Sequence, residues 1–110
     1  MQREIKKYLH DMKESIGSIE SYLQGRNDFN DYLSNKLLRR GIERELEIIG
    51  EATNRILQLD PDININDARR IVDLRNWVIH GYDKIDDVIV WGIILRDIPK
   101  LRSQVDALLK

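Results

Sequence analysis

The stretch that decides how this chain reads is Ile71-Val72-Asp73-Leu74-Arg75-Asn76-Trp77-Val78-Ile79-His80-Gly81-Tyr82. Set Arg75 at zero on a helical wheel of about 100° per residue, and Ile71, Leu74, Val78, Ile79 and Tyr82 fall between about −100° and +40°. Arg69, Asp73, Asn76 and His80 fall between about 100° and 160°. The stretch is therefore an amphipathic helix with an anomaly. Arg75 stands inside the apolar face, where an unpaired charge is expensive. His80 stands on the polar face, so one straight helix does not bring the two groups together. Two arrangements would. The helix ends near Gly81 and swings His80 and Tyr82 around, or two copies pair and each cleft takes groups from both.

Those residue types suit one chemistry. A histidine has a reference pKa of about 6.5 and can give or take a proton near neutrality. An arginine stays charged and can hold a phosphate through two hydrogen bonds. Metal-free phosphodiester cleavage needs both. An Arg/His pair alone is more often surface decoration, so its surroundings must carry the assignment. The other histidine, His10, lies off the apolar stripe of its own helix and reads as an exposed residue.

Working outward, every segment repeats the helical period. Ile5, Tyr8, Leu9, Met12, Ile16, Ile19, Tyr22 and Leu23 recur at steps of three and four, and Gly25 with Arg26-Asn27-Asp28 ends that helix. A second helix is predicted from about Asp31 to Leu59, with Leu38, Ile42, Ile49, Ala52 and Ile56 as its stripe and Leu37, Leu46 and Ile48 beside it. Gly41 and Gly50 sit inside it, each costing about 1 kcal/mol relative to Ala, which suits close approach of another backbone. Glu45 falls within the stripe and needs a partner if buried; a glutamate leaning to solvent is the equal alternative. Asp60-Pro61-Asp62 stops this helix, and Asn64-Ile65-Asn66-Asp67 supplies N-cap residues for the third. Asp86-Asp87 opens the last segment, whose apolar face is Val88, Ile89, Trp91, Ile94, Leu95 and Ile98. Pro99 kinks or restarts it, and Leu101, Val105, Leu108 and Leu109 continue it. The expected fold is all-α, an antiparallel four- to five-helix bundle forming a single domain over residues 1–110.

Composition narrows the function classes. There is no cysteine, hence no disulfide framework and no thiolate metal site. With two histidines and no clustered ligands, no metal is expected. The net charge of −1 argues against nonspecific coating of nucleic acid, so any RNA contact must use a local patch. No apolar run reaches the roughly 20 residues of a membrane span, and the N-terminus lacks the apolar core of a signal peptide. A cytoplasmic location is expected. Arg39, Arg40, Arg44, Arg69 and Arg70 form either an RNA-facing strip or a solvated one, since Glu43, Glu47 and Asp73 are interspersed. Trp77 and Trp91 read as packing or dimer-interface residues.

Three pieces of the chain, in order, resemble the HepT-like members of the HEPN superfamily. They are Glu43-Arg44-Glu45-Leu46-Glu47-Ile48-Ile49-Gly50-Glu51-Ala52, the Arg75-x(4)-His80-x-Tyr82 motif, and Val90-Trp91 with Asp97-Ile98-Pro99-Lys100-Leu101. Gly41 departs from the pattern, standing where alanine is expected. The resemblance covers almost the whole chain. It implies a toxin of a HepT/MntA-type toxin–antitoxin pair, a homodimer that cleaves RNA without a metal in a cleft between protomers. It implies that Arg75 and His80 are catalytic and that Asn76 supports them by orienting His80 or binding phosphate. It further implies that an MntA-like nucleotidyltransferase antitoxin inhibits the toxin by adding AMP to Tyr82. Two other readings stay open. Tyr82 can be a core aromatic, and the chain can be a noncatalytic module that binds a nucleotide or docks the nucleotidyltransferase.

Overall fold

The computed structural model describes residues 1–73 and 86–110. Helix α1 runs Arg3–Leu23, α2 Phe29–Ser34 and α3 Lys36–Leu59. Residues 68–73 are helical and are called α4. Helix α5 is Asp87–Gly92; it passes through a π-helical turn, Ile93–Asp97, into α6, Ile98–Leu109. No described residue is in a strand, and no described helix is long and apolar enough to cross a membrane.

The apolar stripes meet as their spacing implies. Ile5, Leu9, Met12, Ile16, Ile19 and Leu23 of α1 are buried against Ile42, Leu46, Ile49, Thr53 and Ile56 of α3. The Thr53 hydroxyl donates to the Ile49 carbonyl at 2.7 Å, so its burial leaves no donor unmet. Residue pairs give the helix directions. Met12 meets Thr53, and Tyr22 meets Glu45, so α1 and α3 are antiparallel. Lys13 pairs with Asp106 and Glu20 with Arg102, so α6 also runs against α1. Asn66 bonds to Gln104 and Arg70 to Asp97, so α4 runs against the α5–α6 segment. The result is the expected antiparallel all-α bundle, up-down-up-down in its four principal helices.

Two local expectations change. The second predicted helix, Asp31 to Leu59, is two helices, beginning at Phe29 and broken at Asn35. The Asn35 side chain accepts from the Leu38 N–H at 3.0 Å and caps α3, an alternative to helix continuation that asparagine offers and apolar residues do not. Helix α1 ends at Leu23 as expected, with Gln24 at a left-handed φ of 52° and Gly25 at 75° turning the chain out of it. The face of the last segment is also different. Val88, Ile89 and Leu95 are exposed, and Val90 and Ile93 are buried with Trp91, Ile94 and Ile98. The π-turn causes part of this. Its i→i−5 bond from Ile98 N–H to Ile93 O adds a residue to the turn and rotates the helix beyond it. Pro99 then sits in the first turn of α6, where its missing N–H costs nothing, so it restarts the helix without breaking the run.

Gly41 does not admit a backbone. A Cβ there would stand 3.3 Å from Cε2 of Tyr22, so the glycine makes room for that ring. The Tyr22 hydroxyl donates to Glu45 at 3.1 Å, which settles Glu45 as a partly buried carboxylate with a partner. That bond, followed by the charge of Glu45, raises the pKa of Tyr22 above its ordinary value.

Candidate functional site

Arg75, Asn76, His80 and Tyr82, with Trp77 and Gly81, lie outside the described residues. The structure describes the frame on either side of them.

On the N-terminal side, α4 is set by its first turn and by two tethers. Asp67 has a left-handed φ of 57°, and its carbonyl accepts the first helical bond, from Ile71 N–H at 3.0 Å. Asn66, one of the residues expected to supply the cap, is fixed through its backbone. Its own N–H donates to Oε1 of Gln104 at 2.9 Å, which ties the entry of α4 to α6. Arg70 then reaches Asp97, at the end of the π-turn, at 3.1 Å. Ala68, Ile71 and Val72 are buried, while Arg69, Arg70 and Asp73 face out. For Ile71, Arg69 and Asp73 that is the split the wheel predicted.

On the C-terminal side, Asp86 caps α5 by accepting from Val88 N–H at 3.0 Å and Ile89 N–H at 3.3 Å. Trp91 anchors α5 to α2. Its ring lies 5.2 Å from Tyr32 and 6.0 Å from Phe29, both tilted, in the range where aromatic pairs add about 0.5–1.5 kcal/mol beyond area burial. Trp91 is thus a packing residue.

Beneath that cluster lie two polar groups that periodicity did not single out. Tyr32 is fully buried, and Glu43 is 6% exposed. Glu43 Oε1 accepts from Arg40 Nη1 at 2.8 Å. Its Oε2 and the Tyr32 hydroxyl have no hydrogen-bond partner among the described residues. Burial pushes the Tyr32 phenol far above its usual range. The charges of Asp87 and Glu43 push it further, against the opposing pull of Arg39 and Arg40. The sequence signal for Glu43 was present but weak. It directly follows Ile42 at the edge of the α3 stripe, whereas Glu45 drew attention by falling within it.

The arginines do not make a bare cationic strip. Arg40 pairs with Glu43, Arg44 with Glu47 at 3.0 Å and Arg70 with Asp97, while Arg39 donates to the Leu33 carbonyl. Glu43 and Glu47, three residues after Arg40 and Arg44, each neutralise an arginine in space. Among the described residues no group of three or more His, Asp or Glu side chains is placed to hold a metal ion.

Comparison with known proteins identifies a family. A family described as "Ribonuclease HepT-like" matches residues 12–108. The chain is 33% identical over 108 residues to "Putative RNase MJ1380" of Methanocaldococcus jannaschii, covering 94% of this chain and 95% of that one. It is 34% identical over 114 residues to "Probable ribonuclease HepT" of Thermococcus cleftensis, covering the whole of both. It is 33% identical over 86 residues to "Putative RNase TTE0752" of Caldanaerobacter subterraneus subsp. tengcongensis, covering 74% of each. No solved structure matches the chain significantly. A helical bundle of this order, carrying Arg75-x(4)-His80-x-Tyr82 between α4 and α5 and matched over nearly its full length, belongs to the HepT-like ribonuclease family.

Proposed function

We propose that this chain is the toxin of a HepT/MntA-type pair, a homodimeric, metal-independent endoribonuclease whose site lies between protomers. The observation that carries the reading is the intact Arg75-x(4)-His80-x-Tyr82 motif in a chain of the HepT-like ribonuclease family. The reaction balances without a metal. The neutral imidazole of one His80 takes the proton of a ribose 2′-OH. The 2′-oxygen bonds to the adjacent phosphorus, and the bond from phosphorus to the 5′-oxygen breaks. The imidazolium of the second protomer's His80 gives its proton to that oxygen. The products are a 2′,3′-cyclic phosphate and a 5′-hydroxyl. Arg75 stabilises the charge gathering on the phosphoryl oxygens, and Asn76 orients His80 or binds phosphate. One imidazole must be neutral and the other charged, so activity peaks near the histidine pKa and falls on both sides.

A second copy suits the exposed apolar surface. Leu37 is 85% and Val88 68% exposed, and Leu33 and Ile89 are also exposed. Val88 and Ile89 lie on α5, next in sequence to residues 74–85, Leu33 lies on α2, which meets α5 through the aromatic contact, and Leu37 follows at the start of α3. An MntA-like nucleotidyltransferase antitoxin would silence the enzyme by adding AMP to Tyr82, placing bulk and negative charge two residues from His80. Such a pair acts in the cytoplasm.

RNA cleavage in EDTA tests the reading. The wild type is expected to cut, His80→Ala to lose at least about a hundredfold in rate, and Arg75→Ala to lose about as much. Both should keep their helical circular dichroism. Cleavage that survives His80→Ala, or that requires added magnesium, would refute the two-histidine mechanism. A wild type that cuts nothing yet binds the nucleotidyltransferase would favour the docking module.

A further inference from the structure

A cavity of about 470 Å³ opens between the start of α4 and the α5–α6 segment. Its volume lies within the range of about 300–1,000 Å³ typical of small-molecule sites. Its floor is apolar, made by Ile71 and Leu101, which are 6% and 2% exposed. Its walls are polar and already braced. Asp97 holds the Arg70 guanidinium at 3.1 Å, and the Asn66–Gln104 bond of 2.9 Å joins the two sides. Ser103 lies at the rim, its hydroxyl donating to the Pro99 carbonyl at 3.3 Å. Lys100 and Asp67 also line the cavity, and neither makes an ion pair among the described residues.

The charges decide what fits. Arg70 and Lys100 balance Asp67 and Asp97, so the lining has no net charge and does not select a bare anion. An apolar floor accepts the face of a flat ring. The amides of Asn66 and Gln104 offer donors and acceptors to a ring edge. The Lys100 ammonium, which makes no ion pair among the described residues, suits a single phosphate. Ring, polar edge and one phosphate together describe a mononucleotide unit. Arg70 stands five residues before Arg75 on the same stretch.

We propose that this cavity is a subsite for one nucleotide of the RNA strand, holding it by its base and one phosphate. The proposal rests on the ribonuclease reading above, but its binding half can be tested apart from it. The full chain is titrated with adenosine 5′-monophosphate, adenosine and inorganic phosphate, following backbone amides by nitrogen-15 NMR. The nucleotide should shift the amides of Arg70, Ile71, Ser103 and Gln104 saturably, with a Kd near or below about 1 mM. Adenosine should bind more weakly at the same amides, and phosphate should leave them still. Ser103→Trp, an exposed position that fills the cavity, should abolish these shifts and raise KM for RNA with kcat little changed. Lys100→Ala should weaken the nucleotide by about two- to fivefold and leave adenosine unaffected, the scale of one exposed charge contact. Shifts produced equally by phosphate would overturn the base-binding assignment. Still amides, or a Ser103→Trp variant with unchanged nucleotide binding, would overturn the site, whether or not the chain cleaves RNA. Nucleotide shifts in a chain that cuts no RNA would support the cavity and overturn the ribonuclease reading.

Discussion

Tyr32→Phe tests the buried polar cluster beneath α5. The Tyr32 ring is fully buried against Phe29 and Trp91, and the substitution keeps that ring. It removes only the hydroxyl, which has no partner among the described residues. A buried polar group left unsatisfied costs about 1–3 kcal/mol. Removing it should therefore stabilise the fold by about 1 kcal/mol, taking the low end because the ring surround relaxes around the missing oxygen. For a chain of this size that corresponds to a rise in Tm of about 4 °C. Urea denaturation followed by circular dichroism measures the difference directly, with an unchanged m-value as the control. The pH dependence supplies a second arm. The folded phenol titrates above its unfolded pKa of 10.0, so the unfolded chain loses its proton first. Stability from the neutral phenol is complete below pH 10 and is lost as pH rises from there toward the folded pKa. The wild type should lose stability above pH 10 faster than Tyr32→Phe, and the gap between them should widen. A variant less stable than wild type by about 1 kcal/mol would refute the reasoning, because it would mean that the hydroxyl makes a hydrogen bond worth that much.

Light scattering at micromolar concentration should find a dimer, and Leu37→Glu should shift it toward the monomer of 13.0 kDa; a wild type that is already monomeric would remove the shared cleft. Incubation with ATP and the cognate nucleotidyltransferase should add AMP to Tyr82 alone, with cleavage falling as the adduct grows and Tyr82→Phe escaping it. Intact-mass and peptide spectrometry would refute the assignment by finding the adduct on Tyr8, Tyr22 or Tyr32. Gly41→Ala should stabilise α3 by somewhat less than the roughly 1 kcal/mol of helix propensity, because its Cβ would meet a Tyr22 ring that is 40% exposed and free to tilt. Destabilisation in thermal melts would show that the Tyr22–Glu45 bond holds that ring fast.

The sequence by itself determined the helical class, the antiparallel bundle and the family. All three rest on short-range regularities. Steps of three and four in Ile5 to Leu23 and in Ile42 to Ile56 put one face of each helix out of water whatever it packs against. The spacing of Arg75, His80 and Tyr82 is itself a sequence property. Tertiary structure decided what depends on competition between local bonds or on neighbours far along the chain. Asn35 could continue a helix or cap one, and capping won because its carbonyl oxygen reaches the Leu38 N–H. The last segment buries Val90 and Ile93 and exposes Val88 and Leu95, and beyond Ile93 the π-turn shifts the register that a 3.6-residue period assumes through one i→i−5 bond. Glu43 went under the aromatic cluster while Glu45 found Tyr22, 23 residues away. The wall of the cavity formed only when Arg70 met Asp97 across 27 residues. A helical wheel sorts residues by azimuth on one helix. Which partner waits at that azimuth is set by how the helices cross.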